Sequence, residues 1–243
     1  MWANRRSRAT HGGRSHVAFA VTLLACISLA ACTDAGTGAP ASTPKTEAVA
    51  PLPEPSPDEI LEIDAGTYLV NGFTVPFEIT VPAGWMSGGW FVYKDVSEEE
   101  GVAVNFQVPG YVPTDACAWK GTITEVGPSL EAFASAMAAQ TSTATTPAVE
   151  VMVGGMPGLE FDHSVERDVD INDCDERKIC LHSDSADNCA RWHSSVDSHE
   201  TYRVVDLNGE RAVIAVFGYG SVDSALTEEA RAVFDSIEFA ADK

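Results

Sequence analysis

Five side chains that can bind a transition metal lie within twenty residues of one another: Cys174, Cys180, His182, Cys189 and His193. Thiolate sulfur and imidazole nitrogen together suit tetrahedral zinc, so this segment is a candidate zinc site. The spacings match none of the usual zinc-binding patterns, and clustered cysteines outside the cytoplasm are more often disulfide-bonded. We therefore predict no metal at these residues and keep zinc binding as an alternative.

An acidic segment next to this cluster begins like a calcium-binding loop. Asp168, Asp170 and Asn172 alternate as oxygen ligands do in an EF-hand. The position that needs a glycine for the turn is Asp173, and the position that needs a bidentate glutamate is Ile179. Because both diagnostic positions fail, we predict a solvated acidic loop and no cofactor.

The sequence lacks the common catalytic motifs. It has no Gly-x-Ser-x-Gly elbow, no His-Glu-x-x-His pair and no phosphate-binding glycine loop. Ser42 and Lys45 have the Ser-x-x-Lys spacing of penicillin-interacting enzymes, but no helix is predicted there to hold them together. His182 or His193 would support an extracytoplasmic hydrolase only if the fold joined it to a serine and an acid. We predict no catalytic residue and no enzymatic activity, with that hydrolase as an alternative.

Four aromatic residues are candidates for a ligand groove. They are Trp85, Trp90, Phe91 and Tyr93. Tryptophan and tyrosine are enriched at binding sites, but aromatic clusters on predicted strands more often pack in a core. We expect core and sheet packing and keep the groove as an alternative.

The first residues of the chain indicate export. Four arginines and no acid precede an apolar run at residues 17–31, which is shorter than the ~20 residues of a membrane-spanning helix. Leu29-Ala30-Ala31-Cys32 resembles the lipobox of bacterial lipoproteins. That resemblance implies a signal peptide over residues 1–31, removal of which leaves Cys32 lipidated. The chain is then expected on the cell membrane, lipid-anchored and facing outward, because several acyl chains anchor firmly.

Charge and composition define the rest of the chain. With 15 basic and 36 acidic residues the net charge is −21, and it becomes −25 once the four arginines before Cys32 are lost. Such a surface repels nucleic acid, which we exclude as a partner. Residues 32–57 are rich in Ala, Thr, Ser and Pro and predict a disordered tether. Residues 58–243 predict a single globular domain.

The domain alternates short strands with two helices. Leu130, Phe133 and Met137 share one helical face after Ser129, a suitable N-cap, and a longer stripe runs from Leu226 to Ile237 with Glu228 and Glu229 expected in its first turn. The clearest hairpin has Asn208-Gly209 between two alternating strands. This pattern predicts an α+β fold with a mostly antiparallel sheet and two flanking helices.

The turn and core motifs resemble a known group. Val81-Pro-Ala-Gly-Trp85, Cys117-Ala-Trp119, Val153-Gly-Gly-Met-Pro-Gly158 and Asp235-Ser-Ile-Glu-Phe239 resemble actinobacterial exported lipoprotein domains of unassigned function. The resemblance spans nearly all of residues 60–240 and looks Mog1/PsbP-like, an α/β sandwich whose members mostly bind partners. It implies a fold and no chemistry.

Four cysteines remain besides Cys32 and the signal-peptide Cys26. An even number in an exported chain indicates two disulfides, and three pairings are possible. In the resembling group, cysteines recur near Cys117 and Cys174, which favours that pair. The second pair, Cys180 with Cys189, would close a polar loop.

These observations together predict a non-enzymatic binding or interaction module. Its ligand, a protein or a small molecule, is not identified by the sequence. The alternatives are the hydrolase and a metal-binding lipoprotein.

Overall fold

The computed structural model describes residues 48–56, 59–97 and 100–239. The predicted signal peptide, Cys32, the Ser42 and Lys45 pair and most of the predicted tether lie outside these residues. Among the described residues no helix is long and apolar enough to cross a bilayer.

Short strands dominate the described chain. The strands are β1 Ala50–Pro51, β2 Leu61–Ile63, β3 Gly66–Val70, β4 Phe77–Val81, β5 Trp85–Ser87, β6 Phe91–Ser97, β7 Glu100–Gln107, β8 Tyr111–Pro113, β9 Ile123–Glu125, β10 Thr143–Thr145, β11 Val149–Val153, β12 Met156–Val165, β13 Ile179–His182, β14 Arg191–His193, β15 His199–Leu207, β16 Glu210–Tyr219 and β17 Glu238–Phe239. The helices are α1 Leu130–Ala139 and α2 Ser224–Asp235, with 3₁₀ turns at Ile171–Asp173 and Asp175–Arg177.

Most strands join one large antiparallel sheet. Its order is β10-β12-β15-β16-β7-β6-β5-β2, with β11 also paired to β12. A smaller sheet has the order β1-β3-β4-β17, and β1–β3 is its parallel pair. The predicted α+β fold with a mostly antiparallel sheet and two helices is therefore confirmed.

Local sequence explains the central hairpin. Asn208 and Gly209 have φ angles of 59° and 94°, the positive values that a type I′ turn requires. They place β15 and β16 in register from Leu207 opposite Glu210 to His199 opposite Gly218. This long pair forms the centre of the large sheet.

The helices begin at the expected kinds of caps. The Ser129 hydroxyl accepts the Ala132 amide at 3.1 Å, and the Asp223 carboxylate accepts the Leu226 amide at 2.8 Å. The sequence predicted Glu229 in the first turn of this helix. Since α2 begins at Ser224, Glu229 instead lies beyond that turn. It accepts the Trp85 indole N–H at 2.7 Å and Lys94 Nζ at 2.8 Å, so it serves tertiary packing.

The sequence predicted that the folded domain begins at residue 58. In the structure it begins earlier. Leu52 is buried, its amide donates to Leu69 O at 2.8 Å, and the Ser87 hydroxyl donates to Pro53 O. The end of the predicted tether is thus part of the domain, because an apolar residue among the prolines has a core position to fill.

The large sheet has an apolar core on each face. On the first face, α2 and the smaller sheet cover residues such as Val104 and Ile214. On the second face, α1 and the chain around residues 171–181 cover Phe161, Tyr202 and Ala215. Disulfides Cys117–Cys174 and Cys180–Cys189, the favoured pairing, secure this second cover.

Candidate functional site

Polar side chains are enclosed beneath the second cover. Glu200, on β15, is fully buried and forms an ion pair with Arg191. His193 Nε2 lies 3.0 Å from Glu200 Oε1. His163 and His182 are buried next to them, and these five residues are called the polar cluster below.

Within the polar cluster, Glu200 is ionised because its neighbours offset the cost of burying its charge. Burial alone would disfavour the Glu200 carboxylate, but the charge of Arg191, assisted by His193, outweighs it and holds the pKa of Glu200 well below its usual range. Removing one member of such a buried pair leaves the other charge without compensation. The pair therefore depends on both members.

The two most buried histidines are neutral. Burial lowers the pKa of His163 to about 4 and that of His182 to about 3, against the attraction of Glu200. The Thr145 hydroxyl lies 2.8 Å from His163 Nδ1. Within the described chain, His163 Nε2 and His182 Nδ1 have no hydrogen-bond partner. Both rings contact Tyr202 edge-on, at 6.0 Å between ring centroids.

The polar cluster assembles neither alternative site considered from the sequence. All four cysteines of the zinc candidate and its surroundings are in disulfides, so no thiolate is left for a metal. Among residues 48–56, 59–97 and 100–239, no group of three His, Cys, Asp or Glu side chains is arranged to hold a metal. In the same residues no hydrogen bond joins a histidine ring to a serine hydroxyl, as a hydrolase triad would require.

A cleft of about 850 Å³ opens beside the cluster. The end of the predicted tether forms one wall, and the turn at Gly72 and the loop from Gly88 to Phe91 form others. His182 is the member of the polar cluster that lines it. The volume lies in the range of small-molecule sites, ~300–1,000 Å³.

A second depression, of about 340 Å³, lies on the part of the second sheet face that the cover leaves open. Strand register explains its shape. One rung places Ala103 between Tyr93 and Phe217, and the next places Asn105 between Phe91 and Ala215. The central strand carries small or medium side chains between aromatic neighbours, so the surface forms an aromatic trough.

The last rung closes the end of the trough. Gly101 lies between Asp95 and Tyr219, whose hydroxyl donates a hydrogen bond to the Asp95 carboxylate. A β-carbon at Gly101 would overlap the Tyr219 hydroxyl and lie 2.7 Å from the Lys94 backbone oxygen, so this close approach requires glycine. Burial and this hydrogen bond raise the pKa of Tyr219 above its ordinary value.

Two nitrogen donors of the trough are unpaired. Asn105 is 3% exposed, and its Nδ2 has no partner in the described part of the chain. The Arg191 guanidinium lies 3.8 Å from the centroid of the Phe217 ring, and its Nε is also without a partner among the described residues. Arg191 thus belongs to the trough and to the polar cluster.

The aromatic candidates divide between core and surface. Trp85 is fully buried and Tyr93 nearly so, as core packing predicts. Trp90 is 48% exposed and contacts Phe91 with a centroid distance of 4.6 Å, and both line the cleft and the trough. The groove alternative therefore describes Trp90 and Phe91 better than core packing does.

Sequence reasoning missed Asn105, Arg191, Glu200 and Phe217. The run Gly101-Val-Ala-Val-Asn-Phe106 alternates small residues with large apolar ones, and this was the available signal for a depression on one face. For Glu200, its alternation with Tyr202 and Val204 was the signal that it points inward.

Comparisons with known proteins give little further information. No protein-family model matches the chain, and no curated protein matches it. Among solved structures, the solution structure of cyanobacterial PsbP (CyanoP) from Synechocystis sp. PCC 6803 is similar, with 13% identity and a TM-score of 0.34 over 68% of this chain and 86% of that one. A similarity this distant carries no conclusion about function, and membership of the actinobacterial exported group stays a prediction.

Proposed function

We propose that this chain is an exported, lipid-anchored binding module that holds a small molecule in the cleft and performs no chemistry on it. The observation that carries the proposal is the preformed cleft of about 850 Å³ with half-exposed Trp90 at its edge. Clefts of this size with aromatic walls are typical of small-molecule sites.

The placement of the reactive side chains supports binding over catalysis. A catalytic group must reach the substrate, whereas Glu200 and His163 are enclosed and His182 is neutral and 1% exposed. These residues instead lie beneath the cover of the second sheet face. The proposal therefore assigns them to stability.

The tether gives the proposed anchor its role. The described end of the predicted tether belongs to the site, because Leu52, Glu54, Pro55 and Ser56 line the cleft. Labelling cells with an alkyne-bearing palmitate tests the anchor: the label should appear on the wild-type protein and be lost with Cys32→Ser. Equal labelling of both proteins would contradict lipidation at Cys32.

A blocked cleft tests binding. A β-carbon at Gly72 meets no atom within 4 Å, so Gly72→Trp should fill the cleft without disturbing the fold. Gly110 is equally open and lies outside the cleft, which makes Gly110→Trp the matched control.

The measurement is saturation-transfer NMR with a small-molecule extract of the producing organism's envelope. The chain from residue 32 carries Cys32→Ser in every sample. We expect extract signals to be saturated by the wild type and by Gly110→Trp, and not by Gly72→Trp. Absence of any saturated signal would contradict binding, and new product signals appearing with time would contradict a non-enzymatic role.

A further inference from the structure

We infer that the aromatic trough binds a flat, uncharged aromatic ring that carries carbonyl oxygens, as a quinone does. The inference rests on the proposed function in that it makes the chain a binding module, but its site is the trough and not the cleft. The residues that line the trough include Trp90, Phe91, Tyr93, Asn105, Arg191 and Phe217.

The shape of the trough favours a flat ring. Its outer strands carry Tyr93 and Phe217 on either side of Ala103, whose short side chain leaves the floor open. Trp90 adds a half-exposed aromatic surface at the edge. Aromatic rings prefer offset-stacked or edge-to-face contacts with other rings, and both kinds of surface are present here.

The unpaired polar atoms favour carbonyl oxygens. Asn105 Nδ2 and Arg191 Nε are both donors, both are buried, and neither has a hydrogen-bond partner among the described residues. An acceptor on the ligand would satisfy a donor that the folded chain leaves unpaired. A plain hydrocarbon ring would fill the trough but leave both donors unpaired.

Charge and hydrogen-bonding capacity argue against three other classes of ligand for the trough, which are anions, cations and sugars. The net charge of −21 and the exposed Asp95 at the end of the trough oppose an anionic ligand. A cation would meet the guanidinium of Arg191, which already lies over the face of Phe217. A sugar hydroxyl can accept from these donors as a carbonyl does, but it also brings an O–H that needs an acceptor, and the buried unpaired atoms that line the trough are donors. A carbonyl brings no such donor, which favours an uncharged ring with acceptors.

The test uses a matched pair of ligands. The probe is 2,3-dimethyl-1,4-naphthoquinone, whose substituted ring does not add thiols, and 2,3-dimethylnaphthalene has the same shape without the carbonyls. Affinities are measured by titration NMR on the chain from residue 32 with Cys32→Ser. We expect the quinone to bind at least about tenfold more tightly than the hydrocarbon, which corresponds to one polar contact.

Variants locate the site. Asn105→Leu should weaken quinone binding about tenfold and leave hydrocarbon binding unchanged, while Trp90→Ala should weaken both ligands about equally. Trp192→Ala is the control, because Trp192 is 40% exposed and lies outside the trough, and it should change neither affinity. Because Asn105→Leu and Trp90→Ala act at different positions, misfolding of one leaves the other as a test.

Three outcomes would overturn the inference. They are equal affinity for the two ligands, no binding of the quinone, and tighter binding of maltose or choline than of the quinone. None of these outcomes would contradict the proposed function, because that function concerns the cleft and is tested by the Gly72→Trp experiment.

Discussion

Two parts of one sheet face differ in whether other elements cover them. A single rung runs from Tyr93 through Ala103, Phe217 and Glu200 to His163. Its Tyr93 end lies in the open aromatic trough, and its His163 end lies in the enclosed polar cluster. Arg191 stands at the boundary, stacked over Phe217 on one side and paired with Glu200 on the other.

The cover, and not the residue types, separates the two parts. Helix α1 and the disulfide-linked chain enclose the histidines and the carboxylate, which makes them contributors to stability. Where the cover ends, aromatic rings line an open depression, and the unpaired donors of Asn105 and Arg191 lie buried in its walls. Under the proposed function, the enclosed polar residues are assigned to stability, and the run of small residues on β7 lies in the surface to which binding is assigned.

The largest expected effect comes from breaking the enclosed ion pair. Glu200→Gln should lower the free energy of unfolding by about 3–5 kcal/mol, because it leaves the buried Arg191 charge without compensation. Urea unfolding at neutral pH measures it. The control is Glu176→Gln, since Glu176 is exposed and its contact with Lys120 is solvated. Similar small losses for both variants would contradict a structural role for the cluster.

Acid should weaken the enclosed part next. An unfolded histidine binds a proton below pH 6.5, whereas His163 and His182 stay neutral in the fold until about pH 4 and 3. The unfolded state therefore binds more protons in this window, and the free energy of unfolding decreases as the pH decreases. We expect a loss of about 2 kcal/mol per histidine near pH 5.

The variant His182→Phe isolates one histidine. It keeps an aromatic ring against Phe133 and Tyr202, and it should remove about half of the acid-dependent loss between pH 7 and 5. Urea unfolding at several pH values measures the slope. An unfolding free energy that does not change over this range in the wild type would show that these rings are not held neutral.

The smallest effect belongs to the open part and has the opposite sign. Asn105→Leu should raise the free energy of unfolding by about 1 kcal/mol, because it removes a buried unpaired donor and keeps a similar shape. Thermal unfolding measures it, with Asn105→Asp expected to destabilise as a buried charge. If Asn105→Leu destabilised the fold instead, the amide would be a structural group and not one kept for a ligand.

Local features of the fold could be predicted from the sequence. Asn208-Gly209 determines its hairpin, and Ser129 begins its helix, because turn and cap chemistry act within a few residues. The predicted placement of Glu228 and Glu229 in the first turn of α2 was wrong, because Asp223 caps the helix and it begins at Ser224. The predicted start of the domain was wrong because the burial of Leu52 depends on contacts with distant residues of the folded chain.

The site depends on contacts that a sequence does not display. Glu200 and Arg191 lie nine positions apart on different strands, and the burial of both follows from a cover closed by two disulfides. The trough requires β7 to lie between β6 and β16, and β16 comes about a hundred residues later. The alternation on β7 could be seen, but its aromatic neighbours could not.

The most direct test of the account is a shift map by two-dimensional NMR. The ¹⁵N-labelled chain from residue 32, with Cys32→Ser, is mixed with the small-molecule extract of the producing organism's envelope. The account predicts shift changes at Gly72, Trp90 and the neighbouring strands β6, β7 and β16, with the enclosed His163 and Glu200 unaffected. Changes centred on His163 and Glu200, or no changes at all, would contradict it.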